Sequence, residues 1–191
     1  GLSTEATQLS NTGVYPISTV IGGLTSGNYS FQLENGTLTI GKAMITVRAD
    51  DKRRIYGEAN PAFTATYTGW KNGQDLNSSD VAGAPLLVTE ADELSDVGTY
   101  SINSSTGALS SDNYSFQFVN GTLTIGKSTI MVTADDKSRI YGDANPVFTA
   151  TYTGFKNGQD LAGSGISGQP SLTTDASATS TVGKYAIVSA S

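Results

Sequence analysis

Hydrophobic and polar residues alternate along many short segments of this chain. In residues 43–49, Ile45, Val47 and Ala49 share one face, while Thr46 and Arg48 lie on the other. The same alternation recurs in four further runs: Phe63, Ala65, Tyr67; Tyr100, Ile102; Tyr114, Phe116, Phe118; Leu123, Ile125. A period of two is typical of a β-strand with one buried face. The pattern therefore predicts about six or seven short strands that pack as a β-sandwich.

Turn residues separate these runs. Asn120-Gly121 predicts a tight hairpin with positive φ, and Asn60-Pro61 opens the strand that contains Phe63. Residues 73–82 are the one segment with helical character, because Asp75 or Ser78 could cap a short turn. A β-grasp-like repeat, in which 73–82 crosses the sheet as a short helix, is therefore the alternative fold.

A sharper indication of the fold lies in residues 96–102, with the sequence Asp-Val-Gly-Thr-Tyr-Ser-Ile. It is similar to the Asp-x-Gly-x-Tyr-x-Cys tyrosine corner of immunoglobulin-like sandwiches, with Ile102 in place of the cysteine. Gly13-Val-Tyr15 and Gly183-Lys-Tyr185 keep the glycine and tyrosine but lack the aspartate. The motif favours an all-β, immunoglobulin-like sandwich.

The chain repeats itself at a shift of 85 residues. Residues 28–42 return as 113–127, and residues 49–76 return as 134–161 with 24 of 28 positions identical. This register predicts three parts: the C-terminal part of a repeat (1–42), a complete repeat (43–127), and the N-terminal part of a third (128–191), whose final hairpin is missing. The fold is therefore a tandem array.

The repeats follow one another without a Pro-rich or Gly/Ser-rich linker, since Ile125-Gly-Lys leads almost directly to Ile130. So short a junction predicts a near-fixed angle between repeats. The two partial ends are complementary in sequence. We expect either that the polypeptide continues at both ends, or that the N-terminal segment of one copy completes the C-terminal repeat of the next by strand addition in a head-to-tail fibre.

Several combined motifs carry a family resemblance. They are Tyr-Gly-x-x-Asn-Pro-x-Phe, Tyr-Thr-Gly-Phe/Trp-x-Asn-Gly, Val-Gly-x-Tyr, and Asn-Tyr-x-Phe followed by Asn-Gly-Thr-Leu-Thr-Ile. Together they resemble the bacterial MBG/YDG-type tandem repeats of large surface adhesins. The resemblance implies an extracellular place at the bacterial cell surface and a structural stalk or fibre-forming role. The alternative function is an adhesive module in which each repeat binds a glycan or a host protein.

Composition removes most catalytic chemistry. The chain has no Cys and no His, so it lacks thiol nucleophiles, imidazole bases and disulfides. A glycosidase pair built from Asp75 and Asp92-Glu93 is disfavoured, because the third repeat replaces the latter with Ser177-Ala178. The sequence predicts a protein that is not an enzyme and has no cofactor.

Charge and hydropathy bear on partners. A net charge of −6 disfavours nucleic acid, because phosphates would be repelled. No apolar run reaches the roughly 18–20 residues of a membrane span, so no membrane insertion is expected in this segment. The expected partners are neighbouring repeats or other copies of the chain, with a glycan or host protein as the alternative.

Two sets of residues are candidate contact sites. Acidic pairs follow the first strand of each repeat and could bind calcium near a repeat junction, or form solvated turns beside neighbouring Lys and Arg: Asp50, Asp51, Asp135, Asp136. Loop aromatics could stack on a ligand or contact the next domain: Trp70, Phe155, Tyr56, Tyr141.

Overall fold

A computed structural model describes residues 1–189 as strands, turns and loops, with no helix among them. The all-β prediction is therefore confirmed. The strands of the first repeat are β1 (Leu2–Ser3), β2 (Gly13–Thr19) and β3 (Gly36–Ile40). Those of the second are β4 (Ala43–Ala49), β5 (Lys52–Ile55), β6 (Ala65–Thr68), β7 (Leu86–Val88), β8 (Gly98–Ser105), β9 (Tyr114–Val119) and β10 (Gly121–Gly126). Those of the third are β11 (Met131–Ala134), β12 (Ala150–Thr153), β13 (Leu172–Thr173) and β14 (Val188–Ser189).

The chain forms two compact units. The first contains Gly1–Arg53, Pro61–Glu90 and Thr99–Thr124. The second contains Arg54–Asn60, Ala91–Gly98 and the residues from Ile125 on. The second repeat thus contributes residues to both units, and the repeat boundaries at 42 and 127 stay a prediction.

Sheet order differs between the complete repeat and the partial ones. The seven strands of the complete repeat form two sheets, in the orders β6-β4-β9 and β5-β10-β8-β7. The first repeat has one sheet, β1-β2-β3, and the third has two pairs, β11-β12 and β13-β14. Within the described residues, every buried side chain belongs to the complete repeat.

The alternation pattern predicted the buried face correctly. Ile45, Val47 and Ala49 on β4 are fully buried, whereas Arg48 between them is exposed. Ile102 is likewise buried between exposed neighbours on β8. The hydroxyl-rich face of these strands is turned to solvent. Threonine is favoured in strands, and exposing its hydroxyl group to water costs little free energy.

The central pairing of the first unit joins β4 to β9, which run parallel. Ala43 lies opposite Tyr114, Ile45 opposite Phe116, and Val47 opposite Phe118. On its other side β4 pairs with β6 in antiparallel register. Parallel neighbours need a long connection between them, and here the connection takes in four other strands.

The predicted hairpin at Asn120-Gly121 is wrong. β9 and β10 lie in different sheets, so the chain turns a corner between sheets instead of folding back on itself. Neither residue has positive φ. A Cβ built on Gly121 would lie 2.5 Å from the carbonyl oxygen of Ala49. The glycine is there because two backbones meet closely at this corner, which a turn signature alone does not reveal.

The helix of the β-grasp alternative is also wrong, since residues 73–82 form turns. Oδ1 of Asp75 accepts hydrogen bonds from Asn77 N, Ser78 N and Ser78 Oγ at 3.0, 2.9 and 2.7 Å. Short polar side chains that bond the nearby backbone compete with helix formation. Asp75 therefore stabilises a turn here.

The tyrosine-corner hydrogen bond forms in both partial repeats. The hydroxyl of Tyr15 donates to Asn11 O at 2.9 Å, and that of Tyr185 donates to Thr181 O at 2.9 Å. Each bond runs four residues back along the chain. The local motif is therefore present without its aspartate, while the immunoglobulin-like topology stays a prediction.

We expect Gly121→Ala to lower the free energy of unfolding of the second repeat by about 1–3 kcal/mol, because the new methyl group would overlap the Ala49 carbonyl. Urea unfolding followed by the fluorescence of Trp70, the one tryptophan of the chain, measures this. Gly36→Ala is the matched control, since Gly36 occupies the same motif position and its Cβ would meet Ile17 Cβ at an ordinary 3.7 Å. Equal effects of the two substitutions would contradict the corner argument.

Candidate functional site

The loop with the Tyr-Gly-x-x-Asn-Pro motif is held by a buried arginine. Arg54 is 7% exposed, and its Nε donates to Asn60 Oδ1 at 2.7 Å. Its Nη1 donates to Ile55 O at 3.3 Å, and its Nη2 donates to Asp92 O. Asn60 Nδ2 in turn donates to Ala91 O at 2.6 Å. These bonds tie the motif loop to the loop around residues 91–92.

The same network recurs in the third repeat. Arg139 Nε donates to Asn145 Oδ1 at 2.8 Å, and its Nη2 donates to Ser177 O. Asn145 Nδ2 donates to Ala176 O at 2.7 Å. Sequence reasoning took both arginines for partners of the neighbouring acidic pairs and treated Asn60 only as a turn former. The available signal was an Arg six residues before an Asn in both copies.

The acidic candidates have structural partners. Asp50 Oδ2 accepts from Thr64 Oγ1 at 2.5 Å and its Oδ1 accepts from Thr66 Oγ1 at 2.7 Å. These bonds, from Thr64 first, lower the pKa of Asp50. Asp51 pairs with Arg48 at 3.3 Å and accepts from Thr122 N at 2.8 Å.

The third repeat places its acids in the same way. Asp135 accepts from Thr149 Oγ1 at 2.5 Å and from Thr151 Oγ1 at 2.7 Å, and these bonds lower its pKa. Asp136 is exposed. Residues 1–189 contain no group of three acidic side chains that could hold a metal ion. Calcium binding stays a prediction that no contact of these residues supports.

Trp70 packs onto its own repeat. Its ring centroid lies 6.2 Å from that of Tyr67 and 5.5 Å, edge to face, from that of Tyr114. The Tyr114 hydroxyl accepts from Lys71 N at 3.2 Å and donates to Gln74 Oε1 at 2.5 Å. The aromatic cluster therefore closes one end of the core of the second repeat.

The other aromatic candidates differ in exposure. Phe155, the counterpart of Trp70, is half-buried, and Tyr141 is exposed. Tyr56 is half-buried, and its hydroxyl donates to Gln159 Oε1 of the third repeat at 3.4 Å. Of the four, Tyr56 therefore contacts the next repeat.

Further contacts join the second and third repeats within the second unit. Asn157 Nδ2 donates to Glu93 O at 3.3 Å. Gly57, at φ 79°, lies against Lys156, whose Cβ would be 2.3 Å from a Cβ built on the glycine. The glycine of the motif thus has a second use beyond its turn, because it makes room for a side chain of the next repeat.

The first and second repeats are joined by hydrogen bonds within the first unit. Thr12 N donates to Asn113 Oδ1 at 2.9 Å, and Asn113 Nδ2 donates to Asn11 Oδ1 at 3.0 Å. Lys42 Nζ, in the two-residue connection between β3 and β4, donates to Ser111 O at 2.7 Å. None of these contacts was foreseen from the sequence.

Asp80 orders the loop that the second repeat contributes to this junction. Its carboxylate accepts from Ser111 Oγ at 2.8 Å, from Asp112 N at 2.7 Å and from Asn113 N at 3.0 Å. A carboxylate that accepts several hydrogen bonds fixes the loop that supplies them. The loop is therefore already ordered by its own repeat where it meets Asn11 and Thr12.

We expect Arg54→Met to lower the free energy of unfolding of the second repeat by about 2–4 kcal/mol, because it removes the three hydrogen bonds that the buried guanidinium donates. Arg53→Met is the matched control, since Arg53 is exposed and carries the same charge. Urea unfolding followed by Trp70 fluorescence compares the two. A loss that is equal in both variants would mean that charge, and not the network, matters.

The second repeat should lose stability in acid partly through Asp50. Its pKa is lowered in the folded state, so its stabilisation is complete above the unfolded pKa of about 3.9 and is lost as the pH falls through the folded value. We expect Thr64→Val/Thr66→Val to flatten the decline in unfolding free energy between about pH 5 and 2. Thr68→Val, on the same exposed face, should keep the wild-type slope. Parallel slopes in all three proteins would contradict this role of Asp50.

Comparison with known proteins identifies the repeat. The family described as the MBG domain (YGX type) matches residues 45–124 and again 130–191. No curated protein and no solved structure matches the chain. None of the described residues forms a helix with the length and apolar character needed to cross a membrane. Two tandem matches cover most of the sequence, so the resemblance seen in the motifs is confirmed and the chain belongs to the MBG domain family of the YGX type.

Proposed function

We propose that this chain is a non-catalytic structural segment, a stalk or fibre-forming array, of a bacterial extracellular surface protein. MBG repeats typically occur in surface proteins, and the family is not known as catalytic. The observation that carries the proposal is the way adjoining repeats are joined. Gly41 and Lys42 alone separate β3 from β4, and Lys42 itself is hydrogen bonded to the next repeat at Ser111.

Loop-to-loop hydrogen bonds support a mechanical role at the same junction. Asn113 bonds to Asn11 and Thr12 of the preceding repeat, while Asp80 orders the loop that carries Asn113. A flexible linker allows each domain to reorient freely, whereas a two-residue link with lateral hydrogen bonds restricts rotation. Such a junction suits a spacer that must carry a mechanical load or project a binding tip.

The contacts of the polar residues also favour a structural role over a catalytic one. Asp50 is bonded to two threonines, Asp80 to a loop, and Arg54 to neighbouring backbone and Asn60. Trp70, the aromatic on which a glycan- or host-protein-binding role would rely, is half-buried against Tyr67 and Tyr114. We therefore favour the structural role over the adhesive module.

A narrow distribution of distances between the first two repeats is the expected result. Since the chain has no Cys, spin labels can be placed at Thr37→Cys and Thr68→Cys, both exposed. Pulsed electron paramagnetic resonance measures the distance between the two labels. Diluting the labelled chain into unlabelled chain ensures that both labels belong to one molecule. An eight-residue Gly/Ser insertion between Gly41 and Lys42 should broaden the distribution. A distribution already as broad without the insertion would refute the proposed stiff junction.

A further inference from the structure

Tension on a tandem array enters a repeat where the preceding repeat ends and leaves it where the next one begins. For the second repeat these two points are Lys42, directly before β4, and Lys127, directly after β10. Both lie inside the chain, between residues of neighbouring repeats. The strands next to these points, β4 with β5 and β9 with β10, therefore receive the load first.

The strands β4 and β9 run parallel and keep one register. Ala43 is paired with Tyr114 and Arg48 with Val119, an offset of 71 positions. At the start of this ladder, Ala43 N donates to Asn113 O at 2.9 Å. The donor and the acceptor of that bond are therefore 70 positions apart.

The same register holds where β5 lies beside β10. These two strands are hydrogen-bonded neighbours in the second sheet. Within the second unit, Tyr56 N donates to Gly126 O at 2.8 Å, and this donor and acceptor are also 70 positions apart. A parallel ladder with the offset of β4 and β9 requires this bond, because its rungs are evenly spaced. β5 is therefore parallel to β10.

The offset is kept through the corner between the two sheets. Thr122 N donates to Asp51 Oδ1 at 2.8 Å, so a side chain supplies the acceptor there. Gly121 allows the two backbones to meet at Ala49, because it has no Cβ. Residues 43–56 and residues 113–126 thus pair in one parallel register from the first of these bonds to the last.

Parallel order decides how tension acts on this pairing. The load pulls residues 43–56 at their first residue and residues 113–126 at their last, so the two stretches are drawn past each other along their length. The bonds between them then share the load and must break together. If both stretches were pulled at the same end, the bonds would open one at a time from that end. Breaking many bonds together has the higher barrier, and forced unfolding is governed by that barrier.

We propose that the second repeat is built to carry tension, with residues 43–56 and 113–126 as a shear clamp that resists extension of the array. The clamp rests on the structural role proposed above, since tension between repeats arises in a stalk. It adds a property that a stiff junction does not supply, because a stiff junction limits bending whereas the clamp resists unfolding in one direction of pulling.

Single-molecule force spectroscopy on the full chain tests the clamp by changing only the direction of pulling. The chain has no Cys, so handles can be attached at two introduced cysteines. Gly41→Cys with Lys127→Cys pulls the two stretches at opposite ends, whereas Gly41→Cys with Asp112→Cys pulls both at the same end. All three positions are exposed, and a Cβ on Gly41 would lie in open space.

At one constant force, we expect the second repeat to stay folded at least roughly tenfold longer when it is pulled at opposite ends. Each unfolding event should lengthen the chain by on the order of 250 Å, which identifies it as the opening of the whole repeat. Equal lifetimes in the two directions, or a longer lifetime when both stretches are pulled at the same end, overturn the clamp.

A difference in stability between the two variants is separated from the effect of direction by measuring unfolding without force. Each lifetime under force is divided by the lifetime of the same variant in urea jumps extrapolated to zero urea, so a weakened fold does not imitate a change of direction. The distances between the first two repeats test the stiff junction separately. A narrow distance distribution with equal lifetimes leaves a stiff spacer and overturns the clamp. A broad distribution with unequal lifetimes refutes the stiff junction and supports the clamp.

Discussion

The parallel pairing of β4 with β9 is the contact on which the rest of the complete repeat depends. It joins residues that lie 71 positions apart in the chain. It also brings Val47 of β4 and Tyr114 of β9 into one buried cluster. The partial repeats show what its absence does. Residues 28–33 carry the β9 sequence but form no strand, and Val132 carries the β4 pattern but stays open. Strand-forming sequence is therefore not enough here, because each strand needs its distant partner to bury its apolar face.

A different set of interactions survives without that core. The bonds of Arg54 to Asn60 and Asp92 return for Arg139 in the third repeat, and the bonds of Asp50 to its threonines return for Asp135. These contacts join residues much closer in sequence than β4 and β9 are. Loop closure over a shorter separation costs less entropy, and the polar networks of the third repeat form without a strand in the place of β9. The repeat thus combines a local polar frame with a core that closes only across its full length.

The most distinctive motif of the repeat has a part in both sets of interactions. Tyr56 and Gly57 meet the next repeat, and Asn60 completes the bonds of Arg54 within the repeat. The motif therefore serves shape and connection together. A segment copied in every repeat serves what every repeat must do, and in a tandem array that is to fold and to join its neighbours.

The sequence by itself determined the all-β class, the 85-residue period, the buried faces of the strands and the family, because these follow from local periodicity and from identity between copies. It also located the tyrosine corners, whose hydrogen bond spans only four residues. Only the tertiary structure decided that Gly121 lies at a corner between sheets, that Arg54 is buried, and that Asn113 meets Asn11 and Thr12. Those facts depend on which distant backbones meet, and residue type at one position carries no record of its long-range partner.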